Sequence, residues 1–134
     1  MPHIGFSPIK VLYIEDKKNV RLSVAEILSI LGYETACVDN GKLGVEKAKS
    51  WQPDLVLTDF RMPVMDGPEL IRRLRSDPDT AQIPIFVLSG YTETETREIC
   101  REAGADRFFA KPFDIVKIDS AIQEALKHAT HNRD

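Results

Sequence analysis

Short apolar runs alternate with stretches of helical periodicity along nearly the whole chain. Residues 9–14, 33–38, 55–58, 85–88 and 107–110 are apolar runs bounded by turn or polar signals, the pattern of buried strands. After the first run, Val20, Val24, Ile27, Leu28 and Leu31 recur on one helical face, and Gly32 stops that helix. Asp39-Asn40-Gly41 ends the second strand, and a weaker helix over 44–51 turns Val45 and Ala48 inward before Pro53. Asp66-Gly67-Pro68-Glu69 offers a capping carboxylate ahead of a helix whose apolar face is Leu70, Ile71 and Leu74. Residues 76–83 form a polar loop, and Pro84 introduces the fourth strand. Thr92-Glu93-Thr94-Glu95 matches a capping box before a helix burying Ile99, Cys100 and Ala103, with Gly104 as its stop. The last helix is predicted over 114–127, with Ile115, Ile118, Ile122, Ala125 and Leu126 inward.

Strands that alternate with helices in this way pair in parallel, with right-handed helical crossovers covering both faces. The predicted fold is α/β: a doubly wound five-stranded parallel sheet in the order 2-1-3-4-5, with five helices. It occupies residues 9–127, leaving an N-terminal arm at 1–8 and a tail at 128–134. In this order strands one and three are neighbours, and the crevice opens at their carboxyl ends. The strand ends are polar. Glu15-Asp16 follows the first, Asp59 ends the third, Ser89 the fourth and Lys111 the fifth. All of these groups are therefore expected at one edge of the sheet.

Composition removes several alternatives. A chain of 134 residues with 43% hydrophobic and 29% charged residues suits one globular domain. A net charge of −3 argues against a nucleic-acid footprint. No apolar run approaches the roughly 18 residues that span a bilayer, and residues 1–8 lack the pattern of a signal peptide. Cys37 and Cys100 form no disulfide or C-x-x-C pattern, so a cytoplasmic protein with reduced thiols is the expectation. His3, His128 and His131 lie near the termini and read as solvated bystanders.

The chemistry follows from the crowding. Carboxylates held a few ångströms apart repel one another and become favourable together when a divalent cation neutralises them. An oxygen-only set with room for water and phosphate oxygens suits Mg²⁺. Lys111 adds a compact positive charge and Ser89 a hydroxyl donor, so that cation, ammonium and hydroxyl together hold the equatorial oxygens of a phosphoryl group. Asp59 is then the natural nucleophile. Taken singly, Glu15-Asp16 reads as a helix start, Asp59 as a strand-end turn, Ser89-Gly90 as a turn and Lys111-Pro112 as a loop. Their common edge makes the set informative.

From residue 9 to about residue 127 the chain resembles the receiver domain of two-component response regulators, a flavodoxin-like fold. The resemblance rests on the acidic pair Glu15-Asp16, on Thr58-Asp59-Phe60-Arg61-Met62-Pro63-Val64-Met65-Asp66-Gly67, on Ser89-Gly90, and on Lys111-Pro112-Phe113. It implies transfer of a phosphoryl group from the phosphohistidine of a sensor histidine kinase or phosphotransfer protein to Asp59. Mg²⁺ would be held by Glu15, Asp16, Asp59 and the Arg61 carbonyl, and the Lys111-Pro112 bond would be cis. Ser89 would read out phosphorylation, and Phe108, at the aromatic switch position, would change the surface of the fourth helix, fifth strand and fifth helix. Glu15 stands where Asp is commoner, and Phe108 where Tyr is frequent, so a swing of Phe108 relies on burial alone. Such a domain catalyses only its own phosphorylation and dephosphorylation. Its output is a downstream protein target, either for a stand-alone receiver or through the rest of a larger DNA-binding regulator or hybrid kinase. Neither a membrane nor direct nucleic-acid contact is implied. An aspartyl phosphatase of the dehalogenase type is disfavoured because Arg61 stands where its second Asp belongs. A flavin-binding protein is disfavoured because Glu15-Asp16-Lys17-Lys18 is no phosphate nest.

Overall fold

The computed structural model describes residues 8–90 and 94–133. Five strands and five helices alternate: β1 (Lys10–Ile14), α1 (Lys18–Ile30), β2 (Glu34–Val38), α2 (Gly41–Trp51), β3 (Leu55–Asp59), α3 (Gly67–Ser76), β4 (Ile85–Ser89), α4 (Thr94–Ala103), β5 (Arg107–Ala110) and α5 (Ile115–Arg133). The strands form one parallel sheet in the order β2-β1-β3-β4-β5, as the alternation predicts. Among the described residues no helix is long and apolar enough to cross a membrane.

Strand periodicity sorts the core into two layers. Val11, Tyr13, Leu55, Leu57, Phe86 and Leu88 face α1 and α5, packing on Val24, Leu28, Ile118 and Ile122. Leu12, Ile14, Val56, Ile85 and Val87 face the other way, onto Ala48 of α2, Leu70, Ile71 and Leu74 of α3, and Cys100 of α4. β3 and β4 are buried at every position, because helices cover both faces.

Several local expectations shift. α2 begins at Gly41 rather than residue 44, because the Asn40 side chain accepts the Leu43 N–H at 2.9 Å and caps the helix. Gly44 then lies inside α2, where a Cβ would stand 2.6 Å from Ile14 Cδ1, so the glycine lets the helix approach β1. Asp66 caps α3 as expected, accepting the Glu69 N–H at 3.1 Å. In α1 only Val24 and Leu28 are buried. Ile27 and Leu31 are 36% and 43% exposed because they flank the i, i+4 stripe that touches the sheet. In α4 the inward pair is Thr96 and Cys100, one turn apart, so Ile99 is rotated outward and 40% exposed. α5 continues past residue 127 to Arg133, with no Gly or Pro to stop it. Thr92 and Glu93 of the expected capping box, and most of the N-terminal arm, lie outside the described residues.

One side chain ties three connections together. Arg75, near the end of α3, donates to the carbonyls of Gly104 (3.0 Å), Ala81 (2.9 Å) and Ile83 (2.7 Å), and to Asp106 Oδ2 (2.9 Å). Asp106 Oδ2 also accepts the Ile85 N–H at 2.8 Å, fixing the start of β4. Removing the guanidinium strands several partly buried acceptors. Arg75→Ala should therefore lower stability by about 1–3 kcal/mol in denaturant unfolding. Arg73→Ala, which loses only an exposed pair with Glu69, should change it by less than about 1 kcal/mol.

Candidate functional site

The carboxyl ends of β1, β3, β4 and β5 bring the predicted groups to one place. Glu15 stays on the ladder after β1, its N–H donating to the Val38 carbonyl at 3.1 Å. Its side chain is wholly buried, two residues along from Tyr13 and therefore on the same face of the sheet. Asp16 turns into the cleft. Asp59 ends β3 with 6% of its surface exposed. Lys111 follows β5, its N–H bonded to the Ser89 carbonyl at 2.7 Å, and its bond to Pro112 is cis as the resemblance implies. Lys111 Nζ lies 2.8 Å from Asp59 Oδ1 and 3.5 Å from Glu15 Oε1. Glu15, Asp16 and Asp59 each offer a carboxylate oxygen within 4.8 Å of the others. Above them opens a cleft of about 550 Å³ lined by Asp16, Lys17, Asp59, Arg61, Gly90 and Lys111, among others.

Electrostatics follow the burial. Burial holds the Glu15 carboxyl above the usual range, with the Asp59 charge adding to it, while the Lys17 N–H and the Lys111 ammonium pull the other way. Burial alone would lower Lys111, but its bond to Asp59 and the charges of Asp59 and Glu15 outweigh it and hold the ammonium up. Glu15 Oε2 accepts the Lys17 N–H at 3.1 Å, and Oε1 faces the Tyr13 hydroxyl at 3.4 Å. Asp16 Oδ1 is different. It is buried and has no hydrogen-bond partner. An orphaned carboxylate oxygen beside two more carboxylates is a donor set that a hard divalent cation would complete.

Of the other predicted residues, Arg61 lines the same cleft, and Ser89 is buried at the end of β4 beside it. Phe108 sits apart, on β5 facing α4, partly buried with the Arg97 guanidinium 4.7 Å from its ring centre. Phe109 packs on the opposite layer, its ring 5.5 Å from that of Phe86. Residue patterns did not point to Tyr13, or to Arg21, whose guanidinium donates to the carbonyls of Glu15 (2.9 Å) and Asp16 (3.3 Å) and holds the acidic loop. Tyr13 was legible only as an i, i+2 neighbour of Glu15. The loop after Asp59 closes through Gly67, whose N–H donates to the Phe60 carbonyl at 2.8 Å; a Cβ there would stand 3.0 Å from that oxygen. Within this loop Met65 N–H bonds back to the Pro63 carbonyl at 2.7 Å around Val64, a γ-turn with φ of 72° at a β-branched residue.

Residues 11–123 match the family model described as the response regulator receiver domain, and the chain belongs to that family. Receiver domains are signalling domains. The regulatory protein AtoC of Escherichia coli is 32% identical over 118 residues, which cover 88% of this chain but only 25% of AtoC. Sporulation initiation phosphotransferase F of Bacillus subtilis is 32% identical over 117 residues, covering 87% of this chain and 93% of that protein. The chain thus spans a quarter of one relative and nearly all of the other. Among solved structures, the receiver domain of a sensor histidine kinase from Pseudomonas aeruginosa superimposes with a TM-score of 0.82 at 29% identity. That match covers 88% of this chain and 97% of the other, which holds a magnesium ion coordinated in its active-site cleft.

The carboxylate cluster should be visible in stability. Glu15 holds its proton more tightly folded than unfolded, so its contribution is complete below the ordinary value of 4.5 and is lost as pH rises through its raised folded pKa. Without added metal, Glu15→Gln should therefore melt higher than the parent near neutral pH, and the difference should shrink toward zero below pH 4.5. Asp16→Ala, which removes the orphaned oxygen, should also melt higher at neutral pH, in line with a stability gain of about 1 kcal/mol or more. Melting curves by circular dichroism from pH 4 to pH 8 check both.

Proposed function

We propose that Asp59 is the phosphoacceptor of this receiver domain, and that the donor is a phosphohistidine on a sensor histidine kinase or phosphotransfer protein. The observation that carries the reading is the Asp59 carboxylate at the floor of an open cleft, with Lys111 Nζ 2.8 Å from Oδ1 and two further acids within reach. An Asp59 oxygen attacks phosphorus, the phosphorus–nitrogen bond breaks, and its electron pair returns to the imidazole, leaving an acyl phosphate. Asp16, Asp59 and the Arg61 carbonyl, with Glu15 behind them, would hold Mg²⁺. When bound, that ion neutralises the carboxylates and the incoming phosphoryl oxygens. Lys111 keeps its ammonium on the acceptor and follows the charge onto the phosphoryl group. Ser89 supplies the hydroxyl that distinguishes the two states. The output is a changed α4-β5-α5 surface read by a protein partner or by further domains of a longer chain.

Intact-mass measurement with acetyl phosphate and Mg²⁺ tests the acceptor. The parent should gain one phosphoryl group, and Asp59→Asn, nearly isosteric, should keep the fold and gain none. Labelling of the Asn variant at the parent's rate would disprove the assignment. Asp16→Ala should weaken Mg²⁺ binding by at least about tenfold in calorimetric titration, as expected when one ligand is lost from a small donor set.

Phe108 supplies the expected surface change. It is only partly buried; full burial of an exposed aromatic ring is worth about 1.5–3 kcal/mol, and the fraction still to be gained here is enough to shift a two-state equilibrium severalfold. Inward movement would also lift the ring away from the Arg97 guanidinium. With beryllofluoride on Asp59, the Phe108 ring and Arg97 side-chain resonances should move together. Unchanged Phe108 resonances with Asp59 occupied would assign the switch to another element.

A further inference from the structure

We infer that Tyr13 is a positioning residue for phosphorylation: its buried hydroxyl occupies Glu15 and so leaves the Lys111 ammonium to Asp59. The inference rests on the reading of Asp59 as acceptor. Tyr13 lies mid-strand in β1 among Val11, Leu57 and Leu88, wholly buried, where a phenylalanine would fill nearly the same space. A hydroxyl buried there needs a partner, and the partner is Glu15 Oε1 at 3.4 Å. The same oxygen lies 3.5 Å from Lys111 Nζ, which also serves Asp59 Oδ1 at 2.8 Å. Two carboxylates therefore compete for one ammonium. Glu15 is held from both sides by neutral donors, the Lys17 N–H on Oε2 and the Tyr13 hydroxyl on Oε1. Those donors meet part of its demand without adding charge, and the ammonium stays nearer the acceptor. Without the hydroxyl, Glu15 Oε1 becomes the stronger competitor and draws Lys111 back from Asp59.

Tyr13→Phe tests this through a double-variant cycle with Glu15→Gln, which weakens the competing acceptor. At saturating Mg²⁺ and acetyl phosphate, Tyr13→Phe should slow phosphorylation of Asp59 by about two- to tenfold, the range of one hydrogen bond. The double variant should be no slower than Glu15→Gln alone. A second readout needs neither metal nor phosphodonor: in the metal-free protein, the Lys111 side-chain resonances should move in Tyr13→Phe and stay in place when Tyr13→Phe is added to Glu15→Gln. Parent-like resonances and rate in Tyr13→Phe would overturn the inference. So would an equal slowing in both backgrounds, which would mark a packing defect that does not act through Glu15. If the parent itself gains no phosphoryl group, the acceptor assignment fails, while the Lys111 resonances still decide whether Tyr13 governs the ammonium.

Discussion

The Lys111 ammonium, 2.8 Å from Asp59 and 3.5 Å from Glu15, is the interaction that allows three acids to share one end of the sheet. Without a positive charge at that point, carboxylates within 4.8 Å of one another would repel strongly in a poorly solvated place. The lysine reaches it because it follows β5, two strands from β3, at the same carboxyl edge of the sheet. The remaining imbalance sits on Asp16, whose buried oxygen has no donor. The site is therefore electrostatically incomplete, with a donor set that a hard divalent cation would complete.

The helices serve this edge indirectly. Gly44 lets α2 press on Ile14, the residue before the acidic pair. Gly67 lets the loop after Asp59 close onto the Phe60 carbonyl. Arg75, at the opposite side of β4, fixes the turns that lead into β4 and β5, and so sets where Ser89 and Lys111 arrive. Chemistry at one edge and hydrogen bonding at the other are linked through strands buried on both faces, which have little freedom to slip.

The cleft and the α4–β5 surface are separated in the same way. Phe108 is outside the cleft, stacked with Arg97 at the α4–β5 surface, while Ser89 lies between it and Asp59 in the strand order. β4 joins the two regions, since Ser89 beside the cleft pairs with Ala110, and Val87, two residues back, pairs with Phe108.

The sequence by itself determined the element order, the parallel sheet and the polar strand ends. Each depends on near-neighbour rules: alternation of periods, helix caps, and the handedness of crossovers. Thus Glu15, Asp16, Asp59, Ser89 and Lys111 were placed at one edge from the residues alone. Which side of a helix is buried was less legible. Ile27, Leu31 and Ile99 fit an apolar stripe in sequence, yet the sheet contacts only a narrow strip of each helix, through Val24 and Leu28 or Thr96 and Cys100. The division of labour among the acids was decided only in three dimensions. Glu15 is tied by Tyr13, Lys17 and Lys111 while Asp16 keeps an orphaned oxygen, because donors from β1, the following loop and a residue 96 positions away converge on one carboxylate and miss its neighbour.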